Sequence, residues 1–146
     1  QSMIILDTNV LSELMRPTPN PRVVAWSRSH SVTSLFTTAI TEAEVLYGFG
    51  ILPKGRRRAA LETAPTSLYR LDFGGRVLPF GSDAAKAYAI IAAERRRLGR
   101  PISQYDAQIA AIARSAGASL ATRNTADFEH CELTLVNPFD SVGPDA

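Results

Sequence analysis

Short apolar runs alternate with helix-patterned segments along this chain, and that alternation constrains its fold more than any other feature. Met3 to Leu6 is an apolar run closed by Asp7, and Thr8 to Met15 then carries Val10, Leu11, Leu14 and Met15 at helical spacing. A turn-rich stretch, Arg16-Pro17-Thr18-Pro19-Asn20-Pro21, leads into a short helix through Ser29 with Pro21 in its first turn. Leu35 to Ala39 reads as a second strand and Thr41 to Leu52 as a helix ended by Pro53. Lys54-Gly55-Arg56-Arg57-Arg58 opens another helix, interrupted at Pro65, and Arg76 to Phe80 forms a third strand. Ser82 is placed to cap a long alanine-rich helix that runs to Leu98 and ends at Gly99. A helix from Ile102 to Ala116, stopped by Gly117, precedes strands at Ser119 to Ala121 and Leu133 to Val136. This order predicts an α/β fold, a three-layer α/β/α arrangement around a central, mainly parallel sheet of five short strands. In such sheets, sites gather at the carboxyl ends of the strands.

The 146 residues suit one domain, expected over residues 3–140, with residues 141–146 as a flexible tail. Gln1 and Ser2 precede Met3 and read as a remnant of expression. Apolar residues make up 45% and mean hydropathy is -0.03, an ordinary globular composition. No apolar run approaches the ~18 residues of a membrane span, and no charged-then-apolar leader pattern opens the chain. A cytoplasmic protein with no membrane role is the expectation. Cys131 is the sole cysteine, and His30 and His130 lie far apart, so cysteine- or histidine-rich metal sites and disulfide frameworks are excluded. The net charge is only +2, but the basic side is lopsided: 14 arginines against two lysines, Lys54 and Lys86. Arginine forks onto phosphate in a way lysine does not, although a GC-rich genome also favours its codons.

Several acidic residues stand where strands end and helices begin. Asp7 follows the first strand directly, in a position that also suits a helix N-cap. Glu44 lies in Thr41-Glu42-Ala43-Glu44, which has the form of a capping box. It shares its helical face with Ile40, Tyr47, Gly48 and Ile51, and the glycine one turn away leaves room for an approaching group at ~1 kcal/mol in helix propensity. Glu42 occupies the other stripe, and periodicity does not choose between the two glutamates. Asp106 has Ile109, Ala110 and Ala113 at i+3, i+4 and i+7, which aims it inward along the apolar stripe. A buried carboxylate must be paired, protonated or metal-bound, while Ser103-x-x-Asp106 again offers a capping alternative. The fourth strand ends in Thr122-Arg123-Asn124-Thr125-Ala126-Asp127, which adds further oxygen donors at the same edge or makes a plain connecting loop. A parallel sheet brings all these ends together. Carboxylates gathered in one cleft repel unless a cation neutralises them, and an oxygen-only set selects hard ions such as Mg²⁺ or Mn²⁺. Such ions support phosphodiester cleavage.

The blocks that carry these acids resemble those of PIN-domain ribonucleases, particularly the VapC toxins of bacterial toxin–antitoxin pairs. Met3-Ile4-Ile5-Leu6-Asp7-Thr8-Asn9-Val10-Leu11-Ser12-Glu13 is similar to the family's opening, followed in order by Ile40 to Gly48, Asp106 to Ala113, Leu120 to Phe128 and Val136-Asn137-Pro138-Phe139. Arg16 to Asn20 and Val23 to Trp26 resemble the FitB-like branch. The resemblance spans Met3 to about Asp140 and implies a PIN fold with Glu44, not Glu42, as the second acid. It implies a Mg²⁺- or Mn²⁺-dependent endoribonuclease, homodimeric and silenced by a cognate VapB-type antitoxin. The antitoxin wraps the toxin, often presents arginine to the acidic pocket, and supplies the contact with DNA. By this resemblance Asp7, Glu44 and Asp106 hold the metal, and Asp127 completes its shell or orients the attacking water. Thr8, Asn9, Thr122 and Asn124 position water or phosphate. Arg123 and the clusters Arg56-Arg57-Arg58 and Arg95 to Arg97 guide the RNA backbone, unless those clusters are merely solvated helix faces. FitB-like sequences can carry aspartate at the position of Asn124, whereas many VapC toxins pair asparagine there with an acid at the position of Asp127. Ser103-Gln104-Tyr105 stands where small residues are common and crowds the pocket rim.

Other classes fit less well. A haloacid-dehalogenase-type phosphatase also opens on an apolar strand and aspartate, but its second acid, two residues on, is Asn9 here. A receiver domain lacks its acidic pair and lysine pattern. A catalytically weak PIN-like module for RNA or partner binding has no need to retain Asp7, Glu44 and Asp106 together.

Overall fold

In a computed structural model of the chain, residues 2–62 and 73–140 are described below. The elements follow in the order β1 (Ile4–Leu6), α1 (Thr8–Leu14), α2 (Pro21–Arg28), β2 (Leu35–Thr38), α3 (Ala39–Gly50), α4 (Lys54–Glu62), β3 (Val77–Leu78), α5 (Ser82–Arg97), α6 (Gln104–Ser115), β4 (Ser119–Ala121) and β5 (Leu135–Val136). Single 3-10 turns occupy Val32–Ser34 and Thr125–Phe128. The five strands form one sheet in the order β3-β2-β1-β4-β5, and every pairing is parallel. This is the expected α/β architecture. The expected helix break at Pro65 and the 141–146 tail lie outside the described residues.

The order of the strands decides where a site can form. From β1 the chain moves outward through β2 and β3, then returns to the opposite side of β1 for β4 and β5. The direction reverses at β1, and at such a switch point between β1 and β4 a crevice opens at the carboxyl edge. Asp7 and Thr122 are the first residues beyond β1 and β4. The ladder continues to that point: the Asp7 N–H donates to the Ala121 carbonyl at 2.9 Å.

β1 is apolar throughout because both its faces are covered. Ile5 packs with Ile91 of α5, Ile109 and Ile112 of α6, Leu120 and Phe128. Ile4 and Leu6 point the other way, into Val10, Leu14, Val23, Trp26 and Leu35. The alternation of side chains along a strand, set against helices on both faces, produces the two cores.

Local signals place the ends of the elements, several of them a residue or two from expectation. Helix α3 starts at Ala39 rather than Thr41, because the Thr38 hydroxyl accepts from the Thr41 N–H at 3.1 Å and is the N-cap. Thr41 and Glu44 therefore form no capping box. Gly81, not Ser82, holds the N-cap position of α5, without a side-chain bond. β3 and β5 have two residues each, shorter than read from the apolar runs. Ser103 caps α6 as expected, accepting from the Asp106 N–H at 3.2 Å. Gly99 and Gly117 follow α5 and α6 with φ of 71° and 66°, the left-handed region that ends a helix. No helix among the described residues is long and apolar enough to cross a membrane.

Candidate active site

Asp7 lies at the centre of the crevice and is 4% exposed. It is the N-cap of α1: its Oδ1 accepts from the Thr8 N–H at 2.8 Å. The other oxygen, Oδ2, accepts from the Thr122 hydroxyl at 2.8 Å and from Asn9 Nδ2 at 3.2 Å. Capping uses one oxygen of this carboxylate and leaves the second in a polar network, so the capping reading does not exhaust the residue. Burial is the main cause that pushes the Asp7 pKa above its ordinary value, and the negative charge of Glu44 adds to it. The bonds from Thr122, Thr8 and Asn9 act in the opposite direction.

Thr8 links the first two acids. Its N–H caps Asp7, and its hydroxyl donates to Glu44 Oε1 at 2.8 Å. The same hydroxyl lies 3.2 Å from the Thr41 hydroxyl, which is buried and 3.4 Å from that of Thr38. Sequence reading gave Thr41 a capping role and Thr38 none. The signal was available: a threonine ending a strand, three residues before the first buried position of a helix, is itself an N-cap. Glu42 is exposed on α3 and takes no part in these bonds, whereas Glu44 is half-buried and bonded to Thr8.

On the β4 side, Thr122 is fully buried and holds the loop. Besides donating to Asp7, its oxygen accepts from the Asn124 N–H at 3.1 Å and lies 3.4 Å from Asn9 Nδ2. Asn9 Oδ1 accepts from the Arg123 N–H at 3.0 Å. Arg123 is exposed, and its guanidinium is stacked 4.4 Å from the centroid of the Phe139 ring. Asn124 is exposed and its carbonyl receives the Asp127 N–H at 3.0 Å.

Asp106 is half-buried at the first turn of α6, less deeply inward than its helical stripe suggested. Burial raises its pKa most, and the charges of Asp7 and Asp127 raise it further, opposed by a bond from Ser103 and by Arg95. The charge of Glu44 thus acts on Asp7, and those of Asp7 and Asp127 act on Asp106, along one sheet edge. Among the described residues, no three of these groups close on one point as a ready-made cage for an ion. Repulsion between like carboxylates opposes such closure, and a cation relieves it.

Arg95 is not a phosphate guide: it is 5% exposed and faces inward from α5. Its Nε donates to the Arg100 carbonyl at 2.6 Å, and Nη1 donates to the carbonyls of Asp127 at 2.8 Å and Glu129 at 3.1 Å. A run of three arginines covers most of a helix turn, so one of them meets the core side, and carbonyls there satisfy its fork. Arg96 and Arg97 remain exposed. Arg56 and Arg58 are exposed on α4, and the Arg57 side chain lies outside the described residues.

Gly48 is exposed beside Glu44, and an added Cβ would meet nothing within 4 Å. With Thr8, Ser12, Glu44 and Phe49 it lines a cavity of ≈ 210 Å³ between α1 and α3. The room expected from the glycine is present.

Comparison with known proteins places this geometry in context. The PIN domain family model matches residues 4–132. VapC ribonuclease Y4jK of Sinorhizobium fredii is 38% identical over 138 residues, spanning 94% of this chain and 99% of that protein. Toxin FitB of Neisseria gonorrhoeae is 40% identical over 138 residues, again 94% and 99%. The structure of FitAB bound to a DNA fragment superposes with a TM-score of 0.85 at 38% identity, covering 97% of this chain and 99% of that one. The DNA-bound VapBC complex from Salmonella typhimurium gives 0.76 at 26% identity, covering 94% and 99%.

Proposed function

This chain belongs to the PIN-domain family, and from that premise we propose that it is a divalent-metal-dependent endoribonuclease, a toxin neutralised by a cognate VapB-type antitoxin. The observation that carries the reading is the row of carboxylates at the β1/β4 crevice, where Thr8 bonds both Asp7 and Glu44 at 2.8 Å, and where burial and neighbouring negative charge raise the pKa of Asp7 and Asp106. All the acidic donors are oxygen, which fits Mg²⁺ or Mn²⁺. Asp7, Glu44 and Asp106 would hold the ion directly or through water, and Asp127 would complete its shell or orient the attacking water. A bound divalent ion supplies an activated water and charge stabilisation on the attacking and leaving oxygens.

The chain's own groups prepare that centre. Thr8 fixes the Asp7 and Glu44 carboxylates relative to each other through one N–H and one hydroxyl. Thr122 and Asn9 direct their donors at Asp7 Oδ2, favouring its charged form against burial. Arg123, stacked on Phe139 beside the crevice, offers its remaining donors to an RNA phosphate. The FitAB and VapBC neighbours are toxin–antitoxin complexes bound to DNA. By extension this chain would work as a homodimer that meets DNA only through its antitoxin.

The test is cleavage of labelled RNA with Mg²⁺ or Mn²⁺ by the wild type and by Asp7→Asn, alongside thermal melting and Mn²⁺ titration calorimetry. Cleavage is expected to be abolished by EDTA and by Asp7→Asn, with the variant still folded and its Mn²⁺ binding weakened. Full activity of Asp7→Asn would sink the metal-site reading.

A further inference from the structure

A second, larger opening adjoins the acidic groups and takes no part in the chemistry assigned to them. It is a cavity of ≈ 500 Å³ lined by Ile40, Ala43, Glu44, Tyr47 and Tyr105. The two tyrosines are 69% and 61% exposed. Among the described residues neither ring is paired with another aromatic ring. Tyr47 stands three residues after Glu44 on α3, one turn along the same face. Tyr105 immediately precedes Asp106 in the first turn of α6. Two large rings thus stand in water at the mouth of one cavity, each anchored beside a proposed metal-holding acid.

We propose that this cavity takes an unpaired base of the RNA, the one next to the scissile phosphate, stacked on the rings of Tyr47 and Tyr105. The inference rests on the ribonuclease reading and names how that site selects its substrate. The lining decides which part of the nucleotide enters: among the described residues it offers no cationic group to hold a phosphate, and the two rings with Ile40 and Ala43 suit the face of a neutral base. The topology supplies the complementary path. Glu44 follows β2 and Arg123 follows β4, on opposite sides of Asp7 at the end of β1. Phosphate therefore runs by Arg123 and across the acids, and the adjoining base turns into the tyrosine cavity. A duplex keeps its base faces stacked and hidden, so the substrate is single-stranded at this point. Aromatic stacking tolerates any base, because every base has a π-face, so this contact selects single-strandedness rather than sequence.

The experiment uses the full chain, Mn²⁺ and a single-stranded RNA pool of randomised sequence, with Tyr47→Ala, Tyr105→Ala, Tyr47→Phe and Tyr105→Phe beside the wild type. Each alanine variant is expected to raise the apparent KM about 10-fold, equivalent to ~1.4 kcal/mol, with kcat little changed and an unaltered melting temperature. Each phenylalanine variant keeps the ring face and restores the wild-type KM. Alanine variants with wild-type KM, or phenylalanine variants as impaired as alanine ones, overturn the proposal. So does a wild-type dimer that becomes monomeric in sedimentation when either tyrosine is replaced by alanine, which assigns this face to a second copy of the chain. If the wild type leaves the pool intact with Mn²⁺, the ribonuclease reading itself falls, a result distinct from any of these.

Discussion

Replacing Arg95 by alanine separates two roles that the run Arg95-Arg96-Arg97 could play. The guanidinium is 5% exposed and donates to three backbone carbonyls, those of Arg100, Asp127 and Glu129. Orphaning a buried acceptor costs about 1–3 kcal/mol. These carbonyls belong to exposed residues, and water can reach them once the side chain is gone, so the lower figure applies: ~1 kcal/mol each, about 3 kcal/mol in all. In a chain of this size each kcal/mol moves the melting temperature by about 2–4 °C, so Arg95→Ala should melt ~6–12 °C below the wild type. Arg95→Lys keeps the charge but not the fork and should fall in between. Arg96→Ala and Arg97→Ala, on the exposed side, should stay within about 0.5 kcal/mol of the wild type, since the Arg97–Glu94 pair is a surface contact. Differential scanning fluorimetry reads the stability, and RNA binding is measured on the same samples at a temperature where every variant is folded. Because Arg95 grips the Asp127 carbonyl, its loss should also lower cleavage per folded molecule. An Arg95→Ala protein that melts with the wild type yet binds RNA more weakly would refute the structural role and return Arg95 to the phosphate-binding surface.

Three further outcomes follow from the site. The Asp106 pKa is raised in the folded protein, chiefly by burial and then by Asp7 and Asp127, so ionising it costs stability as pH rises from its unfolded value near 3.8 through the folded one. Asp106→Asn should therefore melt above the wild type at neutral pH, with the gap closing as pH falls below ~4, while cleavage is lost; thermal melts across pH with no such convergence would contradict this. Thr122→Val removes both the donor to Asp7 and the acceptor for the Asn124 N–H. It should cost about 1–3 kcal/mol by thermal denaturation and shift the activity profile to higher pH, with Thr122→Ser restoring both. Gly48→Ala meets nothing within 4 Å and should stabilise α3 by ~1 kcal/mol in chemical denaturation; reduced RNA or antitoxin binding would show that a ligand uses the space.

What the sequence by itself determined is whatever depends on neighbours along the chain. The apolar run closed by Asp7, the alternation of strand and helix patterns, Ser103 as a cap and the glycines that end α5 and α6 are local chemistry, and they appear where they were read. The parallel sheet follows from that alternation. The position of Asp106 at a helix start was legible too, since i+3 and i+4 spacing fixes which residues share its face. Tertiary structure decided what depends on partners far away in sequence. The Thr8 hydroxyl selects Glu44, which periodicity could not separate from Glu42, because the choice depends on how α1 leans against α3. Thr38 displaces Thr41 from the cap because the strand ends one residue earlier than its apolar pattern implies and the helix starts directly at Ala39. Arg95 differs from Arg96 and Arg97 only in which side of α5 meets the 125–131 segment, a fact of packing that three identical residues in a row cannot encode. Likewise, the raised pKa values of Asp7 and Asp106 arise from burial and from neighbouring charges, Glu44 acting on Asp7, and Asp7 and Asp127 on Asp106. Those energies exist only once strands distant in the chain lie side by side, with their carboxyl ends at one edge.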